Sequence, residues 1–137
     1  ESIKGGEKLL FCLQICAEEE SKKKKYGLDL AEWNTSFDRL LKAGVVNENQ
    51  RDNMAGKPQP PQPNPQLPPG ISPSENLFGE IVAIPSPNLE DALLVVPFSY
   101  VGTFLGHLYE YLLENRRPEL VCRCVFFLVG VYGGQIM

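Results

Sequence analysis

Few side chains in this sequence have the types and spacing that catalysis requires. His107 is the only histidine, so a nucleophile–histidine pair and a histidine-rich metal site are both poorly supplied. It lies among aromatic residues at helical spacing, where a packed or interface position is more common than general-base catalysis. We therefore assign no catalytic residue, and we expect a protein that is not an enzyme and takes no small-molecule substrate.

The four cysteines are set among apolar residues. Cys12 and Cys16 share a helical face, but no second Cys or His pair at usable spacing completes a four-ligand zinc site. Cys122 and Cys124 are two residues apart, so on a helix their side chains point about 200° from each other. No secretory leader precedes them, and we expect reduced, buried thiols of an intracellular protein, with no metal and no cofactor.

The formal net charge of −4 gives no uniform positive field for phosphates. One basic cluster follows three glutamates at a spacing that favours helix-surface pairs four residues apart. We interpret this cluster as a solvated helix end, with RNA contact or a nuclear-import signal as the alternative; its members are Lys22, Lys23, Lys24 and Lys25. A wider RNA-contacting module would add Arg116, Arg117 and Arg123.

Helical periodicity dominates residues 1–45. The segment EKLLFCLQICAEEE carries its apolar residues on one face and predicts a helix from about Glu7 to about Lys25. After Gly27, Asp29 can cap a second, short helix that ends at Gly44. We assign both helices to the N-terminal part of the domain.

Residues 46–70 predict a polar and then proline-rich linker. Of the twelve prolines, eight lie between Pro58 and Pro73, a density that excludes helix and central strand and favours extended polyproline II. PxxP spacing occurs there, as SH3-type grooves require. Because glutamines separate the prolines and Lys57 is the only flanking base, we expect a spacer or a strap along the domain rather than an adaptor ligand.

Residues 71–137 predict further helices whose limits are set by Ser and Pro residues. Ser74 is a candidate cap for the first, and Pro87 lies in the first turn of the second. Pro97 ends or kinks that helix near Val96. The next helix runs from there to a proline, Pro118, which starts the last one.

The last helix is apolar on nearly every side, so we expect it to be enclosed on most sides and to end near Gly130, Gly133 and Gly134. Its most apolar stretch, from Cys124 to Tyr132, is about half the length that a bilayer span needs. We therefore predict a core helix and no membrane contact.

The helix from Phe98 to about Asn115 carries two neighbouring apolar stripes. The aliphatic stripe suits a domain core; it contains Val101, Leu105, Leu108 and Leu112. The other stripe combines large apolar area with polar tips, as interface hot spots do. It is the candidate partner interface and contains Tyr100, Phe104, His107 and Tyr111.

Together these patterns predict an all-α fold, an antiparallel helical array interrupted by the proline-rich linker. We expect one domain overall. Its apolar faces are wider than one packing neighbour requires, which indicates a scaffold domain completed by another protein chain.

Two strings in the C-terminal part resemble a known family. They are LLVVPFSYV at Leu93 to Val101, and ELVCRCVFFL at Glu119 to Leu128 followed by GQI. Both look like the C-terminal helical domain of the Utp-twelve type of tandem WD-repeat proteins, which belong to the small-subunit processome. The resemblance is strong over the last third and partial upstream, where the Trp33 segment looks like an insertion. The family domain ordinarily continues past GQI with a further helix.

This resemblance implies a nucleolar protein whose WD-repeat propellers lie N-terminal to the helical domain. In the family, that domain joins other WD-repeat subunits into the UtpB subcomplex, which serves small-subunit rRNA processing. Pre-ribosomal RNA and small nucleolar RNA are then partners within the wider particle.

Overall fold

The computed structural model describes the backbone of residues 2–136 and the side chains of residues 5–134. All regular elements in that part of the chain are helices, which confirms the predicted all-α class. The α-helices are α1 (Ser2–Lys42), α2 (Pro73–Ala83), α3 (Leu89–Leu94), α4 (Phe98–Leu113) and α5 (Pro118–Ile136), with 3-10 turns at Glu48–Asn53 and Ser86–Asn88. None of these described helices is long and apolar enough to cross a membrane.

The chain forms two compact units. The first, called the core unit, comprises Glu1–Glu18 and Pro65–Met137, and the second, called the strap unit, comprises Glu19–Asn64. Helix α1 contributes residues to both units.

Helix α1 is continuous where two helices were predicted. The expected break at Gly27 does not occur, because one glycine in a helix interior costs only about 1 kcal/mol relative to alanine. The helix ends after Lys42, where Gly44 takes a left-handed φ of 76°. There the amides of Gly44 and Val45 donate to Leu41 and Leu40, a pairing that satisfies the last carbonyls.

The helix limits near prolines were predicted with small errors. Ser72, not Ser74, caps α2, since its hydroxyl accepts from the amide of Glu75 at 3.1 Å. Helices α4 and α5 begin directly after Pro97 and at Pro118. The predicted helix end at Gly130, Gly133 and Gly134 is wrong, because α5 runs through all three glycines to Ile136.

A single hydrophobic cluster fills the core unit, and all five α-helices contribute to it. Its largest fully buried members are Leu9, Leu13, Leu77, Ile81, Leu89, Leu93, Phe104, Leu108, Tyr111 and Leu128. Helices α4 and α5 form an antiparallel pair, because Phe98 at the start of α4 lies 5.9 Å from the Tyr132 ring near the end of α5. The predicted antiparallel packing is therefore present in this pair.

In the strap unit, the loop after α1 packs back on its aromatic side chains. The rings of Trp33 and Phe37 stack with centroids 5.2 Å apart. The Arg51 guanidinium lies 4.5 Å from the Phe37 ring, and Lys57 Nζ lies 5.8 Å from the Trp33 ring. Farther along, Pro58 and its neighbours line a groove with α1 residues, so this part of the proline tract lies along the helix.

The N-terminal end of α1 approaches α3 so closely that Gly6 has no room for a side chain. A Cβ atom at Gly6 would lie 2.5 Å from Val95 Cγ2 and 3.0 Å from the Ala92 carbonyl oxygen. Gly27, in the same helix, faces open space. A methyl group at Gly6 would therefore clash with α3, whereas one at Gly27 would meet no neighbour.

We expect Gly6→Ala to lower the free energy of unfolding by about 1–3 kcal/mol, since the core must shift to accept the methyl group. Gly27→Ala should raise it by about 0.5–1 kcal/mol, because alanine loses less entropy in a helix. Urea unfolding followed by circular dichroism measures both. Stabilisation by Gly6→Ala would contradict the close approach.

Candidate interaction surface

The buried face of α4 lies between the two stripes predicted for it. It takes two residues from each stripe, and all four are at most 1% exposed: Val101, Phe104, Leu108 and Tyr111. Phe104 and Tyr111 therefore have no surface left for a partner, which corrects the interface prediction for these two residues. Tyr100 and His107 are half-buried at the edge of this face, and their contact with a partner stays a prediction.

The buried hydroxyl of Tyr111 binds α2. It donates to the Ser74 carbonyl at 2.7 Å, and the Ser74 hydroxyl lies 3.3 Å from His107 Nδ1. Burial raises the pKa of Tyr111, so the phenol stays a hydrogen-bond donor at neutral pH. His107 thus lies beside a structural hydrogen bond between two helices.

Arg116 fastens the turn after α4 to helix α2. Its guanidinium lies 3.9 Å from the centre of the Phe78 ring and donates to both Glu75 oxygens, at 2.6 and 3.1 Å. The turn itself requires a left-handed backbone at Asn115, with φ 56°. Stacking combined with a bidentate pair uses the planar fork of arginine, which lysine does not have. Arg116 was a candidate RNA contact, but its visible contacts are within the chain.

The other two candidate arginines are also paired with carboxylates. Arg123 on α5 donates from Nε and Nη2 to the two Glu90 oxygens, both at 2.7 Å, and from Nη1 to the Ser86 hydroxyl at 2.6 Å. Arg117 Nε donates to Glu119 at 3.1 Å. These ion pairs do not favour arginine–phosphate contact, because each would have to be exchanged for one with RNA.

The lysine cluster lies on the strap-unit part of α1. Lys22 Nζ lies 3.4 Å from a carboxylate oxygen of Glu19, three residues before it. Three of the lysines are exposed: Lys23, Lys24 and Lys25. Lys22 and Lys25 also line an open groove of about 330 Å³ together with Tyr26 and Pro58. RNA or import contact through this cluster stays a prediction.

Three of the four cysteines are buried, and Cys122 is only half-buried, contrary to the prediction. Burial raises the pKa of Cys12 to about 11 and that of Cys124 to about 12. Both thiols are therefore protonated at neutral pH and poor nucleophiles. Among the described side chains, no group of three or more His, Cys, Asp or Glu could hold a metal ion.

The last helix is not enclosed as expected, because one side of it stays open. Phe126 is 75% exposed, and Leu113 at the end of α4 is 68% exposed. Other large apolar side chains on these two helices are exposed as well: Phe98, Tyr109, Val129 and Val131. Such exposure on two packed helices is typical of a surface that another protein covers.

Fold and surface thus define a small all-α domain with large apolar side chains exposed on its last two helices. Residues 74–137, nearly half of the chain, match the model of the Dip2/Utp12 family.

Curated relatives extend the similarity over nearly the whole chain. It is 33% identical over 138 residues to WD repeat-containing protein 3 of Mus musculus and of Homo sapiens, which covers 99% of this chain and 12% of each relative. It is 30% identical over 135 residues to U3 small nucleolar RNA-associated protein 12 of Saccharomyces cerevisiae, 94% of this chain and 12% of that protein. The chain therefore spans about an eighth of the relatives' length.

The pairs of Glu75 with Arg116 and Glu90 with Arg123 predict a loss of stability in acid. The hydrogen bond from each arginine lowers the pKa of its carboxyl below the usual value. These pairs therefore stabilise the fold fully above the unfolded pKa, about 4.3, and lose this effect as the pH falls through the lower folded pKa.

As the pH is lowered past about 4, we expect the melting temperature to decrease. The decrease should be less steep in a variant that carries both Glu75→Gln and Glu90→Gln. Glu110→Gln, a change at an exposed glutamate of α4, is the control and should keep the slope of the unaltered chain. Equal slopes in all three proteins would argue against a role for the two pairs.

Proposed function

We propose that this chain is the C-terminal helical domain of a WD-repeat protein and acts as a non-enzymatic assembly domain. Its place would be a nucleolar pre-ribosomal complex that processes small-subunit rRNA. The observation that carries the proposal is similarity over nearly the whole chain to WD-repeat relatives, one of which is named for its association with U3 small nucleolar RNA.

The exposed apolar side chains on α4 and α5 support association through helix packing. Burial of a side chain such as Phe126 or Leu113 against another chain is worth about 1.5–3 kcal/mol. The partners we propose are other WD-repeat subunits of the UtpB subcomplex, which would contribute their own helical C-terminal domains.

The charges of the core unit are consistent with this mode of association. Its sequence holds five Lys and Arg against ten Asp and Glu, a net charge of −5. Its three arginines bind carboxylates of the same chain. The acidic surface of this unit would repel a phosphate backbone. An apolar helix could instead pack on the exposed apolar side chains of α4 and α5.

We expect Phe126→Gln with Leu113→Gln to release WD-repeat subunits from the tagged full-length protein. Removal of two exposed apolar anchors should weaken assembly by about 2 kcal/mol or more. Co-purification at high salt, followed by mass spectrometry, measures the release, because apolar contacts persist where phosphate contacts weaken.

The matched control is Leu28→Gln with Val45→Gln, which changes two apolar residues of the strap unit with similar exposure. It should leave the co-purified subunits unchanged. Melting temperatures of both variants establish that the fold is intact. Equal release in the two variants, or no release in either, would contradict the proposed surface.

RNA contact through the strap unit is the second candidate, and the exposure of Lys23, Lys24 and Lys25 favours it. This unit holds eight Lys and Arg against seven Asp and Glu, a net charge of +1. Its basic residues are concentrated in the lysine cluster.

The RNA candidate predicts that changing these three lysines to glutamine lowers affinity for a single-stranded RNA oligonucleotide. The dependence of log affinity on log salt should also become shallower by about 0.7 for each phosphate that the variant no longer binds. Fluorescence anisotropy at several salt concentrations measures both quantities. An unchanged salt slope would count against RNA binding by the cluster.

A further inference from the structure

Two arginines of this protein are held by the same combination of groups. Arg51 lies 4.5 Å from the Phe37 ring and donates to Asp38 at 2.6 Å and to Glu48 at 2.7 Å. Arg116 lies 3.9 Å from the Phe78 ring and binds both oxygens of Glu75. In each case a phenylalanine face receives the flat guanidinium while carboxylates take its N–H groups.

A further phenylalanine, in the core unit, also has carboxylates near it but, among the described side chains, no arginine over its ring. Phe11 on α1 is 45% exposed and lines an open groove of about 470 Å³ between α1 and α2. Glu7 and Glu80 line the same groove, one from each helix. Cys12, Asn76, Gln66, Pro68 and Lys8 complete the lining, so none of the residues described there is an arginine.

A hydrogen bond between the two helices lies in the wall beside Phe11. Asn76 Nδ2 lies 3.4 Å from Cys12 Sγ and joins the two helices at this point. Burial and the nearby Glu80 raise the pKa of Cys12, so its sulfur is a neutral surface. An aliphatic stem can lie on such a wall while its charged end reaches the carboxylates.

We propose that this groove binds an arginine side chain from another protein, with the guanidinium over Phe11 and its N–H groups on Glu7 and Glu80. Arginine fits better than lysine, because its planar, weakly hydrated guanidinium can lie flat on a ring while its separate N–H groups reach two carboxylates. A phosphate group would be repelled by the acidic rim. Lys8 is the one cation of the lining, and it leaves the groove net acidic.

This inference goes beyond assembly in the pre-ribosomal complex, because it names a recognised side chain and does not depend on which protein supplies it. The core unit's net charge of −5 favours a basic segment by long-range attraction. The groove is formed by α1 and α2, whereas the surface proposed above lies on α4 and α5.

The test uses the ¹⁵N-labelled 137-residue chain and two synthetic peptides, acetyl-Ala-Leu-Arg-Leu-Ala-amide and the same peptide with citrulline for arginine. Citrulline keeps the shape of arginine without its charge. We expect the arginine peptide to shift the amide signals of Glu7, Phe11 and Glu80 saturably. Affinity for the citrulline peptide should be at least about tenfold lower, because it cannot form the charge-assisted bonds.

Glu7→Gln with Glu80→Gln should weaken binding of the arginine peptide by at least about tenfold. The control, Asp91→Asn with Glu110→Gln, removes the same charge from exposed positions elsewhere in the core unit and should change affinity less than twofold. Phe11→Leu tests the stacking alone and should weaken binding to an intermediate degree, with an unchanged amide spectrum elsewhere.

Three results would overturn the proposal: equal binding of the two peptides, signal shifts that map outside the groove, or equal weakening by the control variant. No saturable binding by the folded, unaltered chain would overturn it as well. None of these outcomes bears on co-purification of WD-repeat subunits, so the two proposals fail separately.

Discussion

Tyr111 is fully buried, yet its hydroxyl must find a hydrogen-bond partner. It finds the Ser74 carbonyl in the first turn of α2, which fixes α2 against the middle of the core. The Tyr111 and Phe78 rings meet edge to face with centroids 4.9 Å apart, and the Phe78 ring also carries Arg116. The backbone amide of Arg116 in turn donates to the Tyr111 carbonyl at 2.9 Å. Helix α2, helix α4 and the turn that leads into α5 are thus held by one residue and its neighbours.

Two arginines of the core unit stabilise the fold through contacts within the chain. Arg116 closes the turn, and Arg123 joins α5 to the residues before and within α3. Because these arginines bind carboxylates and the core unit has a net charge of −5, its field does not attract phosphate. The exposed apolar side chains on α4 and α5 are then the surface on which the proposed assembly role depends.

The strap unit is stabilised by contacts between cationic and aromatic side chains. Two of its aromatic side chains, Trp33 and Phe37, have the charged ends of Lys57 and Arg51 over their rings. Long cationic side chains supply apolar stems for packing and keep their charged ends near water or carboxylates. The strap unit exposes Lys23, Lys24 and Lys25, whereas the last two helices of the core unit expose several large apolar side chains. The chain therefore presents an exposed lysine cluster on one unit and exposed apolar helix faces on the other.

The sequence by itself determined the helical class, the breaks at Pro97 and Pro118 and the stop at Gly44, because these follow from local backbone constraints. It also indicated the family whose model matches residues 74–137, through two strings in that part of the chain. It did not determine the continuity of α1 through Gly27, since a weak local cost is overridden by the helix on either side. Nor did it determine which side of α4 is buried. Adjacent stripes differ by a small rotation, and only the neighbouring helices selected the face that carries Phe104 and Tyr111.

The arginine pairs and the groove at Phe11 join residues far apart in the chain, so tertiary packing alone brought their charges and rings together.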